Sequence, residues 1–475
     1  MQGVKKSGLA RVLSAGLVAV VLAWPVAARA DALADAMAGA YVHSGLLEQN
    51  RALLRAADED VAIAVSRLRP IVNWSASLTR SFARTYSRQM MPPGSVDVSA
   101  TEAQIGLVAE LVLFDGNRNR MNVDVAKETV LATRQTLIAV EQNVLFSAVQ
   151  AFMEVRSAAE IVGLRRNNVR VIREELRAAR DRFEVGEVTR TDVALTQARL
   201  AGAESALAQA EGDLTIAREF YLAVVGRPAR DLRNPPPLRR PATSVEAAKQ
   251  VALASHPELA RARHQVTAAD LGILIARAAT TPQVRLRGNY GLTDTLNEPD
   301  YRRGGSVSLD IGGPVYQGGQ LRALERKASA QRDAARGGLH ATSQQIQQNV
   351  GSAFARLQVA QAALAATDQQ ISAARQAFAG VREEASLGAR TTLDVLNAEQ
   401  ELLDAQANRV AAAANEYVAH FALLAAMGQL TVDALDLDVP RYDPAAYYRL
   451  VQNAPAAGSA QGRQLDQVLR RLGKE

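Results

Sequence analysis

The sequence predicts a mixed α/β membrane protein in which pairs of amphipathic strands run into very long coiled-coil helices, the whole pattern laid down twice. Three observations predict it. The chain repeats itself at a nearly constant offset, its hydropathy switches to a period of two at two places, and each of those places is followed by a long proline-free heptad run.

The repeat comes first. Phe114 and Tyr316 lie 202 residues apart, as do Gly116 and Gly318. Val185-Gly186-Glu187-Val188-Thr189-Arg190-Thr191-Asp192-Val193 is echoed at the same offset by Leu387-Gly388-Ala389-Arg390-Thr391-Thr392-Leu393-Asp394-Val395. Upstream the offset becomes 212, pairing Asp58 with Asp270 and Pro70 with Pro282, so ten extra residues of the first copy fall between Pro70 and Phe114. A unit this long is a duplicated supersecondary block rather than a short solenoid repeat.

Residues 1–30 read as a secretory signal. Lys5, Lys6 and Arg11 precede a short apolar core, and Ala28-Arg29-Ala30 fits a small-x-small cleavage site, with Asp31 first in the mature chain. Removing Lys5, Lys6, Arg11 and Arg29 lowers the net charge from +6 to +2, so the basic balance is a weak argument for nucleic acid. No later stretch reads as a membrane helix. The chain has no cysteine, which excludes disulfides, thiol chemistry, cysteine zinc sites and a cysteine lipid anchor. Aromatic residues are only 4% and alanine is abundant, which favours close helix packing over a bulky core.

The first repeat spans 31–226. A helical pattern from Asp31 to about Arg69 stops at Pro70. A strand pair follows over 71–114: Val72, Trp74, Ala76 and Leu78 alternate with Asn73, Ser75, Ser77 and Thr79, then Ala103, Ile105, Leu107, Ala109 and Leu111 alternate with Glu102, Gln104, Gly106, Val108 and Glu110. Each strand is read as about ten residues. A helix over 117–184 contains no proline and one glycine, Gly163, and would be roughly 100 Å long. Its Val155, Val162, Val169, Leu176 and Phe183 recur every seven residues. Gly186 breaks it, and a second helix runs over 191–225. Residues 227–243, rich in proline, form a hinge. The second repeat, 244–430, has a helix, a strand pair over 283–316, a long helix over 320–385 with Leu357, Leu364, Ile371 and Phe378 in heptad register, and a helix over 392–427 beyond Gly388. Residues 431–475 read as a loosely docked tail with a short amphipathic helix near Gln464 to Leu472.

Four strands per chain, each near the length that crosses a bilayer, cannot close a barrel, and open edges are not tolerated in lipid. Three chains supply twelve strands, an even number within the known range. The expected object is a trimeric outer-membrane β-barrel with a polar lumen, continued by a periplasmic tube of coiled coils. The alternative is an exported coiled-coil protein whose alternating segments form an ordinary hairpin sheet.

Enzymatic chemistry finds no support. His43, His256, His264, His340 and His420 have no metal-ligand spacing, His256 and His264 show no evident acidic partner, and all read as surface residues. There is no phosphate-binding loop or nucleophile elbow. Arg165-Arg166 and Arg239-Arg240 read as solvated pairs. No cofactor or metal is expected, and neither is nucleic-acid binding.

Three segments carry a resemblance: Gly313-Pro314-Val315-Tyr316-Gln317-Gly318-Gly319, Phe183 to Val193, and Leu387 to Leu402. With the duplication, they make the chain similar to the TolC family of outer-membrane export channels. The resemblance implies a homotrimer in outer-membrane lipid, docked at its inner end by a periplasmic adaptor and an inner-membrane transporter, of the ABC or another type. It places Val185, Gly186, Thr189, Leu387, Gly388 and Thr391 at the adaptor-docking tips. It implies a periplasmic gate at Asp394 and Asn397, with Arg390 pairing across the tip and Asp192 as the first-repeat counterpart. The family's second acidic ring position is Asn397 here, and a tyrosine expected before Gly388 is Ala385, so one ring is uncharged and one gate hydrogen bond is missing. From the residues alone, Asp192 and Asp394 equally suit helix starts capped by Thr191 or Thr392. The wording from Asp394 to Leu402 and the absent lipid-anchor cysteine lean towards type I protein secretion, with small-molecule efflux as the alternative.

Overall fold

The computed structural model describes residues 32–89, 94–237, 241–296, 299, 301–456 and 458–471. The signal segment and Arg239-Arg240 lie outside the described residues.

Four strands form one antiparallel sheet in chain order: β1 (Ile71–Ser87), β2 (Gly94–Phe114), β3 (Gln283–Leu296) and β4 (Tyr301–Gly312). The period-two pattern fixes the faces. Trp74, Leu107, Tyr290 and Gly305 share one rung and one face; Asn73, Val108, Asn289 and Ser306 share a rung on the other. The second face is stitched by polar pairs, with Arg287 donating to Glu110 at 3.3 Å and Asn289 to Ser306 at 2.9 Å. The strands are longer than the expected ten residues: 17, 21, 14 and 12. The surplus lies in the first hairpin, where Ser81–Ser87 pairs with Gly94–Ala100 beyond the end of β3, which is where the ten extra residues of the first repeat fall. The second pair ends at Gly312 rather than 316, because Pro314 has no N–H to continue a ladder.

The single helix expected before Pro70 is two, α1 (Leu33–His43) and α2 (Gly45–Ser66). Ser44 separates them, its hydroxyl accepting from the Leu47 N–H at 3.3 Å. The second repeat breaks at the equivalent residue, His256, 212 positions on. There α5 (Val245–Ser255) ends and α6 (Pro257–Ala278) begins, with the His256 Nδ1 accepting from Glu258 N–H at 3.2 Å and Pro257 at the first helical position.

The long elements are α3 (Arg118–Glu184), α4 (Arg190–Val225), α7 (Gln320–Ser386) and α8 (Thr392–Ala426). At 67 residues each, α3 and α7 are roughly 100 Å long. The pair α3/α4 packs along its length, as does α7/α8, and α3 also meets α1, α2, α6 and α8. As a result α3 buries nineteen residues and α7 only five. Phe152, Leu145 and Val149 of α3 are fully enclosed with Leu54 and Tyr221. Contrary to the sequence reading, one 18-residue window of α3 is apolar enough for a membrane span, with mean hydropathy 1.2. Half of it is buried against other helices, so its apolarity serves packing.

The tail is clamped rather than loosely docked. α9 (Ala446–Val451) lies on α2, with Val451 fully buried and the Tyr447 hydroxyl donating to Glu59 at 2.6 Å. Arg69 donates to the carbonyls of Asn453 and Ala454, the latter at 2.7 Å, and the Arg51 guanidinium sits 5.1 Å from the Tyr41 ring and 5.0 Å from the Tyr442 ring. α10 (Ala460–Arg471) packs on α9. Glu59 and Tyr447, and Arg69 and Asn453, are nearly 400 residues apart in sequence, beyond the reach of local periodicity.

Beside this clamp Asp58 is 1% exposed, and among the described residues neither carboxylate oxygen has a hydrogen-bond partner. Burial pushes its pKa up to about 6, against a lowering influence from Arg134. A raised folded-state pKa means stability present below the ordinary value of 3.8 and lost as pH rises through about 6. Asp58→Asn is therefore expected to stabilise the protein by about 2–3 kcal/mol at pH 7 and to change little at pH 3.5. Denaturation midpoints at the two pH values check this; an equal shift at both would contradict it.

Candidate functional site at the helix-pair tips

Each helix pair ends in the same turn. Gly186 and Gly388 adopt φ of 83° and 80°, a left-handed conformation that glycine takes without a side-chain clash. The Glu187 N–H reaches back to the Arg182 carbonyl and the Ala389 N–H to the Glu384 carbonyl, both at 2.9 Å, closing the last turn of α3 and α7. The next helix then starts with a capping box. Thr391 donates to Asp394 Oδ2 from its backbone N–H at 3.0 Å and from its hydroxyl at 2.8 Å, and the Asp394 N–H returns a bond to the Thr391 hydroxyl at 3.3 Å. Thr189 and Asp192 repeat the arrangement at 2.9, 2.7 and 3.2 Å. The caps are thus Thr189 and Thr391, not Thr191 or Thr392.

These bonds hold both carboxylates below their ordinary pKa. For Asp394 the Thr391 N–H matters most, followed by its hydroxyl, with Arg390 a smaller influence. For Asp192 the Thr189 hydroxyl leads. Arg390 donates to Glu384 Oε2 at 2.8 Å, across its own turn, and that bond raises its pKa. Among the described residues no hydrogen bond or ion pair joins Asp192 to Asp394 or Arg390. The tips carry bare apolar surface, with Val185 72% and Leu387 78% exposed.

Above the tips the two helix pairs of one chain are latched together by contacts that the sequence reading did not anticipate. Arg199 of α4 donates to the Asn397 side-chain Oδ1 of α8 at 2.7 Å. Asn168 of α3 donates to the buried Glu399 of α8 at 3.2 Å. Leu396, 4% exposed, packs against Val169, Ile172 and Ala203. Arg165 lies 3.8 Å from Asp404 of α8, and Arg166 donates to Glu211 of α4 at 2.7 Å, so this arginine pair is spent between helices. Glu399 had a signal available. It lies between Leu396 and Leu403 at heptad spacing, and a polar residue on such a seam commonly sets register. Higher on α3, Glu128 meets His264 of α6 at 2.7 Å, and His420 of α8 is buried, which corrects the surface reading of both histidines.

An open sheet with two free edges, joined to paired helices of about 100 Å, defines one subunit of a helix-extended membrane channel. The family model described as outer membrane efflux protein matches residues 40–226 and 248–429, and the chain belongs to that family. The outer membrane efflux protein BepC of Brucella suis is 35% identical over 90% of this chain and 92% of its own length. The alkaline protease secretion protein AprF of Pseudomonas aeruginosa is 28% identical over 60% of each chain. Among solved structures, VceC of Vibrio cholerae superposes with a TM-score of 0.69 at 22% identity, covering 83% of this chain and 96% of that one. The open state of MtrE from Neisseria gonorrhoeae gives 0.70 at 20%, covering 85% and 90%. The protein is accordingly a TolC-like trimeric channel of the outer membrane, twelve strands at four per chain, with its helices extending into the periplasm. Such channels work with adaptors and inner-membrane transporters.

Burial holds the Glu399 pKa above its ordinary 4.5, against the Asn168 hydrogen bond. The protonated form therefore suits the latch, and its stability contribution is present below pH 4.5 and declines as pH rises through the raised value. Glu399→Gln keeps an acceptor for Asn168 without the charge. Its trimer is expected to melt higher than wild type at about pH 7.5, with the gap closing towards pH 4.5. A pH-independent gap would contradict this.

Proposed function

We propose that this chain is the exit duct of a tripartite export system, gated at its periplasmic tips and serving small-molecule efflux. The duplicated tip turn is the observation that carries the gate, and the match to BepC along nine-tenths of the chain supports efflux. Wording at Asp394 to Leu402 leans the sequence towards type I protein secretion. That second reading keeps support from AprF and from the proteases secretion protein PrtF of Dickeya chrysanthemi, each matching a little over half of this chain.

In this reading the adaptor docks on Val185, Gly186, Thr189, Leu387, Gly388 and Thr391, where apolar side chains and tight turns are exposed. Three copies of Asp394 form one acidic ring. Its carboxylates stay ionised because they are committed to the Thr391 cap. Like charges on the axis repel unless they are paired, so the attraction between Asp394 and Arg390 holds the ring together, and loss of the carboxylate removes that closing contact. Asn397 contributes no charge and is engaged by Arg199. Asp192 caps α4 in the same way and completes the tip. Opening separates α3/α4 from α7/α8, so it must part Arg199 from Asn397 and Asn168 from Glu399. The energy comes from an inner-membrane transporter, of the ABC or another type, acting through the adaptor. The duct itself performs no catalysis.

Two measurements test the proposal. Asp394→Ala is expected to raise resting conductance in a planar bilayer several-fold, whereas Thr391→Ala, which weakens the cap but keeps the charge, raises it less. An unchanged closed state in Asp394→Ala would remove the gate role. Deleting the gene is expected to raise sensitivity across a drug panel while the profile of secreted proteins stays constant. Loss of one large secreted protein with unchanged sensitivity would replace efflux with protein secretion.

A further inference from the structure

The lipid-facing side of the sheet changes character towards its outer end. On β1, Val72, Trp74, Ala76 and Leu78 are followed on the same face by Arg80, Phe82, Arg84 and Tyr86. Phe82 is 83% exposed and Tyr86 62%. An arginine facing lipid needs an anion, because hydrocarbon cannot solvate its charge. Arg84 meets Asp97 at 3.2 Å, but Arg80 stands opposite Thr101 in the ladder.

The other sheet edge carries a matching arginine. On the same face of β4, Arg303 donates through Nε to the Tyr290 hydroxyl at 2.8 Å and lies 5.8 Å from the Tyr290 ring, which fixes its guanidinium. Asp294 shares this face, and no ion pair joins it to Arg303 among the described residues. Closing the barrel brings β4 of one subunit beside β1 of the next. Arg303 lies nine residues from Gly312 and Arg80 nine from Ile71, the two strand ends on the helix side. Nine residues rise roughly 30 Å along a strand. At a tilt near 45° both arginines stand roughly 20 Å up the wall, close to the outer limit of a barrel's apolar band of about 25 Å. Arg303 itself lines an open groove of about 740 Å³ together with Trp74, Leu107, Tyr290, Leu292, Asp294 and Tyr301.

We propose that each boundary between subunits binds a phosphate-bearing lipid of the outer leaflet, its phosphate held by Arg80 of one subunit and Arg303 of the next and an acyl chain lying in the groove. Guanidinium groups match phosphate oxygens with paired hydrogen bonds, and the interleaved rings suit the level where headgroup meets hydrocarbon. The lipid would join the one boundary at which strand pairing passes from chain to chain. The site depends on the trimeric barrel and not on the exported cargo.

Native mass spectrometry of the purified trimer tests this, using bisphosphorylated lipid A and its phosphate-free counterpart as probes. The wild type is expected to retain lipid A and to bind the phosphate-free form at least tenfold more weakly. Arg80→Gln with Arg303→Gln should weaken lipid A binding roughly 10- to 100-fold while leaving a heat-stable trimer. Equal retention of both lipids by the wild type would overturn the proposal without reference to any variant. So would undiminished lipid A binding by a correctly assembled double variant.

Discussion

A strand edge open to lipid is the constraint on which the rest of this structure depends. Among the described residues, the outer edges of β1 and β4 pair with no other strand. In hydrocarbon each unpaired group costs several kcal/mol, so the sheet is viable only when other copies close it. Closure in turn arranges the helices. Threefold symmetry sets the axis, the helices must leave the barrel wall as a ring, and residues near their far ends meet across that axis in sets of three. The gate proposed above, with one acidic residue per chain, depends on that closure, because a single chain cannot form a ring.

Duplication supplies the helices of that ring in matched pairs, but the two copies are not equivalent in packing. α3 is the hub, enclosed by helices from both repeats, whereas α7 keeps a half-open face. The half-buried heptad residues Leu364, Ile371 and Phe378 leave that face for contacts beyond the single chain. The tips inherit the asymmetry. Their turns and capping boxes are nearly superimposable in pattern, yet only α8 brings Asn397 and Glu399 against the other pair. Movement at the tips therefore works against a specific set of polar contacts rather than against uniform coiled-coil packing. Glu399 makes this set sensitive to protonation, while the capped Asp394 stays charged.

Much of the tip is legible in the sequence because its determinants are local. A glycine with positive φ, a threonine and an aspartate three residues on form a unit within a dozen residues, and its recurrence at an offset of 202 marks it. The caps sit one or two residues from the expected positions, since Thr189, Thr191, Thr391 and Thr392 are chemically alike and only backbone geometry selects among them. Arg199, Asn168 and the His264–Glu128 pair are not legible. Each depends on which face of one long helix meets another, and sequence spacing is silent on that.

Periodicity, proline placement and the repeat determined by themselves the order of the strands and long helices, the two strand faces and the need for more than one chain to close the sheet. These arise from side-chain alternation, heptad spacing and the cost of unpaired backbone, all properties of neighbouring residues. The tertiary structure alone decided the rest. It set how far the first hairpin outreaches the second, clamped the tail across α2, buried Asp58 with no hydrogen-bond partner among the described residues, and aligned Arg80 and Arg303 on one face. Those outcomes depend on contacts between residues tens to hundreds of positions apart, whose geometry exists only once the helices and strands have packed.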